Sequence, residues 1–220
     1  MISKKIIIVI IYILISAPNK IQKTDLDKYL ELKINKSLSI KKEDLPSEFS
    51  DNAFKVVDEF IKKTIDLNYE ILVYFDYITG EILKCKIGKI NNVKININNK
   101  EFENHNVASI HNHHKSVYTP PSPQNFSIFQ RDFEDYELIA GWNGLWILKG
   151  KIKDKKLYLE LKIISKSLFN LAFNYSKTKS KNINEIEDIC DEKYGFLLSN
   201  YINNKNINKI QLTKKEYNHD

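Results

Sequence analysis

Three of the five histidines in this 220-residue chain, His111, His113 and His114, fall within four positions. The preceding Val107-Ala108 and Ile110 read as the end of a buried strand, and side chains two apart on a strand share a face. His111 and His113 therefore project together. Two imidazoles side by side at a strand end can each place a ring nitrogen about 2 Å from one zinc ion, leaving tetrahedral positions for an oxygen ligand and a water. Downstream, Ser122-Pro123 reads as an N-cap followed by proline at the first helical position, so a helix over about 122–132 starts beside the histidines. Asn125 then sits one turn into it, on the face that Ser122 shares, and offers an amide oxygen.

The elements that must position these residues are legible from apolar spacing. Ala53, Val56, Val57, Phe60, Ile61, Thr64 and Ile65 repeat at helical spacing, which predicts a capped helix from Ser50 or Asp51 to about Asp66. Glu70 to Asp76 and Glu81 to Ile87 are β-rich runs around a Thr79-Gly80 turn and predict a hairpin, with Asp76 and Glu81 flanking a solvated turn. The stretch from Asn91 to Phe102 is Asn-rich and reads as a strand or a loop, and the strand of Val107 to His113 follows, with His105 in the loop before it. A second hairpin spans Tyr136 to Lys149 around Gly141 to Gly144. Leu157 to Ile164 is expected to add one more strand, followed by helices over 167–175 and 183–202 and a polar tail that frays. Trp142 and Trp146 read as core or hairpin packing.

Composition narrows the class. The chain is 42% hydrophobic and 11% aromatic, enough for a true core. Its net charge of +6 comes almost wholly from lysine, Arg131 being the only arginine. No dense basic run interleaves with aromatics, as a surface tracking a nucleic-acid strand requires. Cys85 and Cys190 lie far apart without a CxxC partner, which fits buried thiols in a reducing compartment and excludes a cysteine metal site. The basic start Met1 to Lys5 and the apolar run Ile6 to Ile15 read as a buried β-branched strand in a cytoplasmic protein, or as a signal-like or anchoring segment within residues 1–17. Residues 1–49 form an N-terminal extension, 50–165 the main domain and 166–220 a helical C-terminal extension.

Helix, hairpin, His-x-His and then Ser-x-x-Asn resembles the JAB/MPN metalloprotease family. Its JAMM motif sets a glutamate early in the domain, then His-x-His, then Ser-x-x-Asp. The matching residues are Glu70, His111, His113, Ser122 and Asn125. The wording His111-Asn112-His113, with Pro120-Pro121 before Ser122, is most similar to the RadC-type and other prokaryotic or viral branches. Phe133 to Ile139 and Gly144 to Ile147 fit the strands that close such domains, and the resemblance covers about residues 50–165. It implies an α/β fold with a mixed β-sheet flanked by helices, a bound Zn2+, and hydrolysis of amide bonds by a peptidase or isopeptidase. The substrate it implies is a protein or peptide, in some members a ubiquitin-like conjugate. Within it, His111, His113 and Asn125 hold the metal, Glu70 is the general base and Ser122 the oxyanion donor.

Three departures stand out. Asn125 replaces the aspartate, leaving the metal centre one unit more positive. His114 replaces a proline, and the gap before Ser122 is one residue longer. Asp132, Asp135 and His114 are alternative third ligands. Two other functions stay open: a non-catalytic MPN-like binding module, favoured by Asn125, and a RadC-like association with DNA, for which salt-sensitive binding is the minimum requirement.

Overall fold

A computed structural model of the protein describes residues 24–34, 38–89, 93, 99–113, 121–205, 207 and 210–219. Residues 1–23, His114 to Thr119 and most of the Asn-rich stretch lie outside them. The fold is α/β, built on a six-stranded mixed sheet with helices on both faces.

Two early elements, α1 (Asp25–Leu30) and β1 (Leu38–Ser39), precede α2 (Asp51–Thr64). Ser50 caps α2 by accepting from the Ala53 amide at 3.1 Å, and Lys62 and Lys63 close its last turn against the negative end of the helix dipole. The expected hairpin is present as β2 (Ile71–Asp76) and β3 (Ile82–Ile87). Gly80 turns it with φ 78°, and a β-carbon there would stand 2.6 Å from Asn52 Cβ, so the turn and the packing of α2 both demand glycine. Asp76 corrects one expectation, for it is buried rather than solvated. Its carboxylate accepts from the amides of Ile78, Thr79 and Asn106, knitting the turn to the loop before β4 (Val107–Asn112).

β4 pairs antiparallel with β2 and parallel with β5 (Glu134–Gly141), so the chain between them crosses over one face of the sheet. That crossover contains a 3-10 helix (Asn125–Gln130), shorter and tighter than the expected helix over 122–132. Its first residue is preceded by a turn in which the Asn125 amide bonds Ser122 O at 2.9 Å. β5 and β6 (Gly144–Gly150) make the second expected hairpin.

Two expectations fail after β6. Leu157 to Ile164 is not a strand but the start of α3 (Lys155–Lys179), capped by Asp154, which accepts from the Lys156 and Leu157 amides. The buried positions Leu161, Ser165, Ala172 and Ser176 follow helical spacing over a length no short β-branched window reveals. The division at 165 thus falls inside one continuous helix. α4 (Ile183–Asn204) returns antiparallel, as its caps and spacing imply. The tail does not fray. It forms β7 (Ile210–Lys215) on the free edge of β6, and β8 (Asn218–His219), which pairs with β1. The sheet order is β3-β2-β4-β5-β6-β7.

Strand alternation sorts the core. Val73, Phe75, Ala108, Ile110, Leu138, Ala140, Leu145 and Ile147 face α2, where Ala53, Val57, Phe60 and Ile61 are fully enclosed. Ile139, Trp146 and Leu148 face the other way, against Phe126, Ile128 and Phe129 of the 3-10 helix and the α3–α4 pair. Trp146 is therefore core, and Trp142 packs beside the α2 cluster. Cys85 and Cys190 are both free thiols. Among the described residues, no helix is long and apolar enough to cross a membrane.

Candidate functional site

The site lies where β4 ends. Leu72 pairs with His111, so the antiparallel register carried one step beyond β2 brings Glu70 opposite His113 on the same face. Each strand runs on past its end along its other neighbour: Glu70 N donates to Lys89 O and Glu70 O accepts from Gly88 N on the β3 side, while His113 N donates to Ala140 O at 2.8 Å on the β5 side. Glu70, His111 and His113 are all buried. Between the histidines, Asn112 points to the opposite face and is fully enclosed. Its Oδ1 accepts from Ile71 N at 2.7 Å, and its Nδ2 donates to Tyr69 O at 3.0 Å and Thr64 O at 3.2 Å. The amide inside the His-x-His motif thus clamps both backbone neighbours of Glu70.

The two imidazoles converge. His111 Nε2 and His113 Nε2 stand 3.2 Å apart. Two nitrogens bound to one tetrahedral zinc at about 2.05 Å each would stand about 3.3 Å apart, so the pair already has the spacing of two zinc ligands. The same separation also admits an N–H···N hydrogen bond. Burial and the neighbouring His113 hold His111 well below its ordinary pKa, which keeps it in the neutral form that a metal needs. Glu70 is shifted the other way, pushed up to about 7 by burial, with a backbone bond from Val93 opposing. A carboxylate poised there can take and return a proton at neutral pH.

Asn125 joins the histidines, but with a particular orientation. Its Oδ1 accepts from Ser122 N at 2.7 Å and from Ser122 Oγ at 2.8 Å. A backbone N–H can only donate, so the amide oxygen belongs on the Ser122 side. The nitrogen is therefore the end that faces the site, 3.1 Å from His111 Nε2 and 3.0 Å from Glu137 Oε1. The capping relation expected of Ser122 is inverted, since it is the Asn125 side chain that receives the Ser122 amide.

Glu137 and its neighbours were not singled out from the sequence. β5 carries an extra residue: Val107 pairs with Glu134 but Ala108 with Tyr136, leaving Asp135 as a bulge. The bulge returns Glu134 to the face of Glu137, so two carboxylates three apart point the same way. Arg131 lies 2.6 Å from Glu134 Oε2 and 3.9 Å from Glu137 Oε2, and Ser109 Oγ donates to Glu134 Oε1. Glu137 Oε1 is 3.6 Å from His111 Nδ1, and its Oε2 has no hydrogen-bond partner among the described residues. Burial, and for Glu137 the adjacent Glu134, raise the pKa of both carboxyls, while Arg131 acts against that rise. Two signals were available in the sequence. Glu137 interrupts an apolar strand, and Arg131 is the chain's only arginine.

The alternative ligands are not brought in. Asp135 accepts from Tyr77 Oη at 3.3 Å on the bulge, and Asp132 makes no bond to the histidines among the described residues, while His114 lies outside them. Among the described residues, no three His, Cys, Asp or Glu side chains are gathered as a metal cluster. No family model, curated protein or solved structure matches this chain, and none identifies a JAB/MPN domain in it.

Proposed function

We propose that this protein is a zinc-dependent amide hydrolase of JAMM type on an MPN/JAB-like sheet, a peptidase or isopeptidase acting on a protein or peptide substrate such as a ubiquitin-like conjugate. The observation that carries this reading is the pair of ring nitrogens 3.2 Å apart, with the buried Glu70 on the adjoining strand end. Zinc, when bound, supplies Lewis-acid polarisation of a carbonyl and brings the pKa of water toward neutrality. The imidazoles of His111 and His113 would hold it. Glu70 takes the proton of the attacking water and returns it to the leaving nitrogen as the C–N bond breaks, leaving a carboxylate and an amine. Ser122 Oγ–H, which in the structure donates to Asn125 Oδ1, would have to turn from that bond to serve the oxygen on which negative charge develops.

Metal analysis of the purified protein and amide-hydrolysis assays on wild type and Glu70→Gln test the reading. Stoichiometric zinc with activity lost in the variant is the expected result. Zinc bound with activity unchanged in Glu70→Gln removes that residue from the mechanism, and a wild type that takes up no zinc ends the reading. One observation favours a second function, a non-catalytic binding module: Asn125 turns nitrogen, which is no metal ligand, toward His111. A folded wild type without zinc affinity or hydrolysis is the outcome that reading requires.

A further inference from the structure

The Asn125 amide cannot turn its oxygen to the histidines without cost, because both of its ends are committed. Rotation would set its NH2 against the Ser122 amide N–H, which now donates to Oδ1 at 2.7 Å, and its oxygen against Glu137 Oε1, which now accepts from Nδ2 at 3.0 Å. A neutral amide at this position also brings no negative charge to balance a cation. A carboxyl group stands one side chain away. Glu137 is 4% exposed, lies on the His111 face of the sheet, and keeps Oε1 within 3.6 Å of His111 Nδ1. Its Oε2 has no hydrogen-bond partner among the described residues and lies 3.9 Å from Arg131 Nη1. The nitrogen of His111 that faces Glu137 is the one remote from His113. At 3.6 Å that carboxyl stands just beyond hydrogen-bond distance of Nδ1; closing the gap would hold the proton on Nδ1 and keep Nε2, which now faces the Asn125 NH2 at 3.1 Å, as the lone-pair nitrogen, the arrangement that fixes tautomer and ring orientation in many histidine sites.

We propose that Glu137, rather than Asn125, is the carboxyl partner of the histidine pair: a positioning residue that orients His111 through Nδ1 and stands in for the carboxyl group that position 125 lacks. Asn125 is then the donor that aims Glu137, and the two positions act as one unit. The bulge at Asp135 completes it, because it brings Glu134 and Arg131 onto the same face to hold the buried carboxylate. This rests on the zinc reading above.

The test is zinc affinity by chelator competition, with cobalt absorption as a report on coordination geometry, for wild type, Glu137→Gln and the charge-relocating double variant Asn125→Asp with Glu137→Gln. Glu137→Gln should weaken zinc binding by about 10- to 100-fold while the cobalt bands keep their positions. The double variant should recover most of that loss, a rescue that a merely structural glutamate would not give. Thermal unfolding of each protein checks the fold, and the double variant carries the test if the single one does not fold. Glu137→Gln binding zinc as tightly as wild type overturns the proposal, as does a folded double variant no tighter than a weakened single one. A wild type that binds neither zinc nor cobalt instead overturns the metal reading itself, and this inference with it.

Discussion

The two faces of the central sheet are made from the same strands and differ in what they bury. On the α2 side the inward positions of β4 before Asn112 and the middle of β5 are apolar, with Ala108, Ile110, Leu138 and Ala140 fully enclosed. One residue along on each strand, the opposite face buries Ser109, His111, Glu134 and Glu137. Apolar burial stabilises, at about 25 cal/mol per Å2, whereas a buried ionisable group costs free energy unless it is paired. A chain that buries Glu134, Glu137, His111 and His113 on one face, with Arg131 part-exposed beside the glutamates, gives up stability there. Both faces bury apolar side chains, but the ionisable groups gather on the face away from α2.

That division can be broken or sharpened by substitution. The largest effect should come from Glu70→Gln, which is expected to lower kcat/KM for amide hydrolysis by about 10^2- to 10^4-fold with zinc still bound. Next, Leu138→Ala on the apolar face should cost about 3 kcal/mol in urea unfolding and leave zinc affinity unchanged. If it alters affinity as much as stability, the faces are not separable. Arg131→Met should cost about 2 kcal/mol. That is less than for a fully enclosed ion pair, because the guanidinium side chain is 28% exposed. Gly195→Ala should cost about 1 kcal/mol despite alanine's better helix propensity, since the new β-carbon would stand 2.8 Å from Trp146 Cη2. Thermal unfolding checks both.

The smallest effect is a pH dependence. The pKa of Glu70 is raised in the folded protein from 4.5 to about 7, so the fold favours its protonated form. That contribution is complete below about 4.5 and is lost as pH rises through about 7. Glu70→Gln should therefore match wild type in Tm at acidic pH and exceed it above neutrality. An equal Tm at both ends would place Glu70 in a wetter site than its burial implies.

Much of the frame was legible because it repeats. The α2 stripe from Ala53 to Ile65, the two hairpins and the His-x-His strand each carry a period that survives reading in isolation. What failed depends on distant contacts. Leu157 to Ile164 looks β-rich in a short window, and only the spacing out to Ser176 shows the helix. The residues of β7 look like a polar tail because a strand on a sheet edge needs few apolar side chains, and β6 supplies its partners from 60 or so residues upstream. At the site, His111, His113, Ser122 and Asn125 were singled out by type and spacing, and Glu70 by the resemblance to the JAMM motif. Glu134 and Glu137 were not, since the bulge at Asp135 breaks the alternation that would have put them on one face. The orientation of the Asn125 amide is set by Ser122 and Glu137 together and has no local signature.

The long return from β6 to β7 has a consequence for how the protein is made and stored. Until the α3–α4 hairpin has formed and delivered Ile210–Lys215, β6 presents an unpaired row of amides and carbonyls beside Leu145, Trp146 and Ile147. Such an edge is a template for a second molecule. A version shortened to residue 205 would keep every group of the histidine cluster and still be prone to self-association. Solubility, rather than chemistry, is what the last strand protects.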